Sequence, residues 1–350
     1  MDITVSELGE QGLLAQLQSY CPAGVVGDDA ALITLVPGQS LVVTTDVLVE
    51  GVHFSDRTTP PHAVGWRAAA ANLSDLAAMG ATGIGITVGL TLPPDCPVAW
   101  VTEVYRGLQD CLKVYDLAIL GGDLSRNAGP SAGRSLAITA LGQVAHHQAI
   151  LRHSAQPGDA ILVTGSHGGA RAGLEILLQP LAGKLVSSEG RSQLIQKHQY
   201  PQARLDCIPL LKSHGRISGM DSSDGLADAI VQLARASGVG AIVQADQIPL
   251  VAALKTWQPP AQVLDWALYG GEDFELVLCL PPEQARLLCR HLCAQLGNDA
   301  AIVGSIIAEP GVYLEFGSSE RVGDRHRIPL SLEAGFQHFS RRRDHPPQRA

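Results

Sequence analysis

The chain has 350 residues, of which 46% are hydrophobic and 17% charged. That length favours two domains over one, and that apolar share supplies a large core, which excludes wholesale disorder. A net charge of −9 argues against a broad basic face for nucleic acid, and apolar stretches such as Ile84–Leu92 are too short to span a bilayer.

Met1–Tyr20 reads as a short amphipathic helix with a lead-in, followed by a Pro/Gly turn region at Cys21–Asp28. Ala31–Leu35 and Leu41–Val49 read as strands split by Pro37-Gly38. A helix is predicted after Thr59-Pro60-Pro61, running through Ala68–Ala78 and stopping at Gly80. Ile84–Leu92 is a strand. Val98, Val101, Tyr105, Leu108, Leu112 and Tyr115 recur at helical spacing. Leu117–Leu120 and Leu136–Val144 close the first half as strands. In the second half, Ala160–Thr164, Asp273–Leu280, Ala301–Ile307 and Val312–Phe316 read as strands. Helices are predicted at Gly168–Leu178, Pro201–Ser213, Gly225–Ala236 and Pro282–Leu296, with a flexible connection at Pro180–Arg191. The alternation gives an α/β (α+β) class in two domains, 1–150 and 151–340, with 341–350 a basic tail containing Arg341-Arg342-Arg343.

Met1-Asp2-Ile3 opens no signal peptide, and seven scattered cysteines suit reduced thiols, so a cytoplasmic location is expected. Cys289, His291 and Cys293 lie at i, i+2 and i+4 of a helical stretch, which separates the histidine from the thiols and favours packing over a metal.

The acidic residues are the informative feature. Six segments set carboxylates among small residues at element ends: Gly27-Asp28-Asp29, Thr44-Thr45-Asp46, Asn72-Leu73-Ser74-Asp75, Gly121-Gly122-Asp123, Asp221-Ser222-Ser223-Asp224 and Gly270-Gly271-Glu272-Asp273. Each has a plain alternative. Asp28-Asp29 could be a turn, Asp75 a solvent-facing helix residue, Asp224 an N-cap and Glu272-Asp273 a tight turn. Partly buried carboxylates need partners. Basic side chains are scarce in the first third, where the first lysine is Lys113. Together the segments favour a multi-metal site, and oxygen-only donors suit Mg²⁺ rather than zinc. Mg²⁺ commonly takes its remaining ligands from phosphates, which points to a polyphosphate such as ATP. The P-loop and protein-kinase signatures are absent from the sequence. Arg152 could clamp a phosphate or form a surface ion pair, and His53 could be a base, a substrate contact or packing.

The ordered set GDDAA, TTDVLVEGVHF, NLSDLAAMGA, GGD, PGD…VTG, DSSDGL and GGEDFEL resembles the thiamine-monophosphate kinases, part of the aminoimidazole-ribonucleotide-synthetase-like ATP-dependent enzymes. The resemblance runs from about Glu7 to Phe339. It implies a two-domain fold whose N-terminal domain shares a barrel-like sheet with a second copy in a homodimer. It also implies transfer of the ATP γ-phosphoryl group directly onto thiamine monophosphate, giving thiamine diphosphate, assisted by several Mg²⁺ and without a covalent enzyme intermediate. Asp29, Thr44, Thr45, Asp46, Asp75, Asp123, Asp221 and Asp224 match metal positions. Tyr105, Gly122, Asp123, Arg152 and Ser223 match nucleotide positions. His53, Glu272 and the aromatic Phe336 match substrate contacts. A cyclo-ligase of the same superfamily and a non-catalytic nucleotide-binding regulator are the competing readings.

Overall fold

The structure is a computed structural model that describes residues 3–26, 30–127, 132–180, 182–297, 299–317 and 326–335. Asp29, Phe336 and the basic tail lie outside them. The chain divides into two compact units. Among the described residues, the first holds those up to Leu76 together with Ala81–His146, and the second holds Ala77–Gly80 and those from His147 onward.

The first unit opens with α1 (Val5–Leu8) and α2 (Glu10–Gln18), then β1 (Gln39–Val49), α3 (Pro61–Ala78), β2 (Thr82–Leu92), α4 (Val98–Lys113), β3 (Ala118–Arg126) and β4 (Ser135–Ala145). Thr4 starts α1 with a capping box, its hydroxyl accepting from the Glu7 amide while Glu7 reaches back to the Thr4 N–H. Among the described residues the strands form one sheet in the order β1-β4-β2-β3, parallel only between β2 and β3. One face is apolar and covered: Ile86, Val88, Leu136, Ile138 and Ala140 are fully buried, as are Ala69, Leu73 and Leu76 of α3. Alternation puts the odd-numbered residues of β1 on the other face. There Leu41, Val43 and Val47 are about half exposed.

The expected strand at Ala31–Leu35 is irregular, extended chain, with Leu32 fully exposed. β-branched composition favours a strand, but a strand needs a ladder partner. Conversely β3 continues beyond Leu120 through Gly121-Gly122-Asp123 to Arg126, because pairing with β2 overrides the poor strand propensity of glycine. A bulge places Leu120 between the pairs Ile86–Ile119 and Thr87–Gly121.

The second unit contains β5 (Ala160–Val163), α5 (Gly169–Leu178), α6 (Ser188–Gln199), α7 (Ile208–Leu211), β6 (Ser218–Asp221), α8 (Leu226–Ser237), β7 (Gly240–Gln244), α9 (Ala252–Lys255) and α10 (Pro260–Tyr269). β8 (Leu276–Leu280), α11 (Pro282–Leu296), β9 (Ala301–Ile307), β10 (Gly311–Glu315) and β11 (Arg327–Pro329) follow. Its sheet runs β11-β10-β7-β9-β5-β8-β6, antiparallel except for β7 with β10. Both faces are covered. Ile161, Val163, Val277 and Cys279 pack in one core with α8, while Leu162, Leu276, Leu278 and Leu280 pack in a second with α11. The four residues of β5 are therefore all buried, and the segment reads as a continuous apolar run rather than an alternating one.

The long helix expected at Pro201–Ser213 is a 3₁₀ turn at Arg204–Cys207 followed by the single turn α7, with Pro209 in its first positions. Proline carries no N–H for the ladder and clashes with the preceding turn, so a continuous helix through it is disfavoured. The expected loop at Pro180–Arg191 gives way to α6 at Ser188, capped by the Ser187 hydroxyl accepting from the Gly190 amide at 3.1 Å.

Candidate active site

In the first unit the acidic motif of β1 faces α3. Asn72 and Asp75 are one helical turn apart and address neighbouring positions of the strand. The fully buried Asn72 accepts the Asp46 amide at 3.0 Å through Oδ1, while its Nδ2 donates to the Ala68 carbonyl at 2.9 Å. The Thr44 hydroxyl donates to Asp75 Oδ2. Asp46 and Asp75 are both half-buried. A rigid strand and a rigid helix thus hold two carboxylates and a hydroxyl together, and the solvent-face reading of Asp75 does not hold. Thr45 is one residue out of phase and projects from the open face, where its hydroxyl pairs with that of Thr139 at 2.8 Å.

Asp123 is placed differently. It is exposed on β3, it accepts from the Ser125 hydroxyl at 3.3 Å, and its register partner on β2 is Gly89, which pairs with Ala137 and through it with Val47. The register therefore puts Asp123 on the open face, whereas Asp46 lies on the helix-covered face. β1 and β3 are also opposite edges of the sheet, three strand spacings or roughly 14 Å apart. Among the described residues no three acidic, histidine or cysteine side chains gather at metal-binding spacing. Within the first unit, Asp46 and Asp123 therefore do not share one compact cage. Strand order, which no local pattern encodes, separates Asp46 from Asp123.

Gly122 is exposed beside Asp123, and a Cβ there would sit 2.2 Å from the Val88 carbonyl, so β3 can approach β2 only with glycine at this position. Tyr105, matched to a nucleotide position, is 5% exposed in α4 and packs on Tyr20 with ring centroids 5.6 Å apart. Burial raises its hydroxyl pKa. His53 is half-buried and accepts the Val49 amide at 3.0 Å through Nδ1, which leaves Nε2 to carry the proton in the neutral ring. The adjoining loop is clamped by Arg134, whose Nε donates to Glu50 at 2.9 Å and whose Nη2 donates to Asp56 at 2.8 Å. The guanidinium also lies 4.5 Å over the Trp100 ring.

In the second unit the chemistry sits at one end of the sheet. β6 and β8 are antiparallel with Asp221 opposite Leu276, so the loop leaving β6 and the loop entering β8 meet there. Asp221 is 3% exposed and accepts from the Ser223 hydroxyl at 3.0 Å. Asp224 is exposed and is not the N-cap of α8. That position belongs to Gly225 at φ 110°, which makes no side-chain cap and whose Cβ position lies 2.6 Å from the Leu268 carbonyl. The capping alternative for Asp224 is thereby removed.

The expected strand at Asp273–Leu280 begins only at Leu276. Gly271, Glu272 and Phe274 all have left-handed backbone, at φ 67°, 59° and 52°. Such conformations in Glu and Phe need external support. The Glu272 amide donates to the Ser223 carbonyl at 2.7 Å, and Phe274 is buried. Asp273 accepts the Gly168 and Ala170 amides at 2.7 and 3.0 Å, covering the start of α5. The Glu272 carboxylate is one-third exposed and lies 3.8 Å from Nδ1 of the buried His198. The pairing of Asp273 with α5 and of His198 with Glu272 joins segments far apart in sequence, which local patterning does not show. Arg152 is exposed, its guanidinium donating to Gln232 at 2.8 Å while its own carbonyl accepts the Ser218 and Ser237 hydroxyls, both at 3.0 Å. The thiols of Cys289 and Cys293 both donate to the Ala300 carbonyl, as packing side chains do.

These loops and strands correspond to a known pair of domains. Residues 27–144 match the AIR synthase related protein N-terminal domain, and residues 156–317 match the C-terminal domain. The chain is 51% identical over 346 residues to the thiamine-monophosphate kinase of Synechococcus elongatus, covering 97% of this chain and 99% of that one. The chain belongs to the thiamine-monophosphate kinase family. Solved members agree in fold. The crystal structure of thiamine-monophosphate kinase from Stenotrophomonas maltophilia K279a is 33% identical, with a TM-score of 0.77 over 86% of this chain and 95% of its own. AaThiL complexed with AMPPCP and TMP is 31% identical, with a TM-score of 0.69 over 93% of this chain and 99% of its own.

Proposed function

We propose that this protein transfers the γ-phosphoryl group of ATP to thiamine monophosphate, yielding thiamine diphosphate and ADP. The observation that carries this reading is the full-length relation to thiamine-monophosphate kinases, together with Asp46 and Asp75 on the facing β1 and α3 and Asp221, Asp224 and Glu272 in the loops where β6 ends and β8 begins. The acceptor is itself a phosphate oxygen, already anionic, so alignment and charge neutralisation matter more than a strong general base.

The donor set fits Mg²⁺. Thr44, Asp46 and Asp75 in one unit and Asp221 with Asp224 in the other are oxygen donors, and the Asp75 and Asp221 carboxylates are each oriented by a hydroxyl that leaves them acceptor capacity. The separation of Asp46 from Asp123 favours several ions spread along a triphosphate over one compact cage. Bound there, Mg²⁺ supplies neutralisation of phosphate charge. Asp29, Thr45 and Asp123 are the remaining proposed ligands of this group, and Tyr105 remains a proposed nucleotide contact. Gly122, Arg152 and Ser223 are proposed nucleotide contacts, Arg152 by bidentate donation to phosphate. His53 and Glu272 are proposed contacts of the substrate, with Glu272 suited to the cationic thiazolium and Phe336 as its aromatic neighbour.

The open face of the first unit supports a homodimer. Leu41, Val43, Val47 and Val49 expose between 37% and 55% of their surface in one row, the kind of contiguous apolar face that soluble chains cover. A second copy of the chain is the proposed cover, and Thr45 and Asp123 then lie in or beside the interface. Among the described residues no helix is long and apolar enough to cross a membrane. A cytoplasmic location is proposed on the separate ground that the scattered cysteines suit reduced thiols.

The deciding experiment is purified protein with ATP, Mg²⁺ and thiamine monophosphate, scored for thiamine diphosphate by chromatography. Formation of that product at the expense of ATP supports the reading. ATP hydrolysis alone, or no reaction in the presence of a folded protein, refutes it.

A further inference from the structure

Glu275 falls in the GGEDFEL segment but has been given no role above, yet it is 3% exposed and touches all three strands that end at the second unit's site. Its carboxylate accepts the Thr164 hydroxyl at 2.6 Å, just beyond β5. The same hydroxyl accepts the Leu276 amide at 2.8 Å, and the Thr164 amide donates to the Leu276 carbonyl at 3.1 Å. The Glu275 amide donates to the Ser222 hydroxyl at 3.2 Å, and its carbonyl accepts the Ser222 amide at 2.8 Å. Arg204, itself buried, brings Nε to 3.6 Å from the carboxylate. The fit is tight: a Cβ on Gly165 would fall 2.4 Å from Glu275 Oε1, so only glycine leaves room for this group.

The two flanks of this knot are the two acidic loops. Ser222 sits between Asp221 and Ser223, and Glu275 follows the left-handed turn that presents Glu272. A buried carboxylate with a hydroxyl donor and a guanidinium beside it is costly to disturb, because truncating one partner leaves the others unsatisfied. We propose that Glu275 is a positioning residue that sets the loop of Asp221–Asp224 and the loop of Glu272 in one register, so that metal retention and thiamine-monophosphate recognition are coupled through it. This rests on the function proposed above. Glu275 contacts no substrate in this scheme; it acts through Ser222, Thr164 and the backbone.

The test uses the full-length protein and two near-isosteric variants, Glu275→Gln and Thr164→Val, with Thr164→Ser as the conservative control. Mn²⁺ binding is titrated in the absence of nucleotide, and KM for thiamine monophosphate is measured separately. Each of Glu275→Gln and Thr164→Val is expected to weaken Mn²⁺ binding and to raise that KM by about tenfold, while Thr164→Ser stays within about twofold of the parent. A double-mutant cycle of Glu275→Gln with Glu272→Gln is expected to be non-additive in KM, because both act through one loop. Movement of one parameter without the other, additive effects, or loss of function in Thr164→Ser equal to that in Thr164→Val overturns the proposal. If Glu275→Gln does not fold, the two Thr164 variants decide by the same criteria. Absence of thiamine-monophosphate turnover in the parent protein refutes the function instead, and the Mn²⁺ titration still reports whether Glu275 orders the Asp221–Asp224 loop.

Discussion

Gly65 and Gly107 oppose one another where α3 crosses α4. A Cβ on Gly65 would lie 1.9 Å from the Val104 carbonyl, and one on Gly107 would lie 1.8 Å from the His62 carbonyl. The two helices therefore touch backbone to backbone, and this contact sets the height of α3, with Asn72 and Asp75, above β1.

Gly107→Ala is expected to destabilise the protein by about 1–3 kcal/mol, because a methyl group must displace main chain rather than a flexible side chain. Urea denaturation followed by circular dichroism measures it. A midpoint equal to that of the parent would mean that the helices separate freely, contrary to the close crossing described here.

Asp46→Asn preserves the backbone amide that Asn72 accepts, so the fold should remain while one anionic oxygen is lost. Thiamine diphosphate formation in Mg²⁺ is expected to fall by at least about 100-fold, with little change in thermal midpoint. Retained turnover would remove Asp46 from the metal-binding set.

Val43→Glu puts a charge in the middle of the exposed apolar row of β1. Sedimentation velocity should then show a protomer where the parent shows a dimer, since burying an unpaired carboxylate in an apolar interface is unfavourable. A parent protein that sediments as a monomer at micromolar concentration would dispose of the proposed pairing.

His167 gives a pH signature. It is fully buried, and burial holds its pKa below the ordinary 6.5, while the nearby Asp273 charge opposes that shift and Lys197 adds to it. In the folded chain the ring stays neutral at pH values where the unfolded chain takes up a proton. Its contribution to stability is therefore complete above pH 6.5 and is lost as the pH falls towards the lowered folded value. Thermal midpoints measured down from neutral pH should decline less in His167→Gln than in the parent. Parallel slopes would show that His167 does not titrate differently on folding.

Much of this fold is legible in the sequence. Pro282–Leu296 and Ala301–Ile307 coincide with α11 and β9. There, proline at the first turn, glycine after the last turn and β-branched runs all agree with the tertiary context. α6 and α10 give no clear periodic signal because their apolar faces are narrow or interrupted, and Ala31–Leu35 is irregular despite a strand-like composition because composition reports strand preference but not a partner. The site followed the same division. Asn72 and Asp75 could be paired from their spacing alone. The separation of Asp46 from Asp123 depends on strand order, and the Thr164–Glu275 hydrogen bond joins residues 111 positions apart.

The left-handed backbone of Glu272 has an evolutionary consequence. Of the side chains that might replace it, only glycine, asparagine and aspartate accept that conformation readily, and β-branched or bulky ones pay a steric penalty before they meet any ligand. Drift towards a new substrate preference is therefore channelled away from residue 272 itself and towards the neighbours that surround its carboxylate, such as His198.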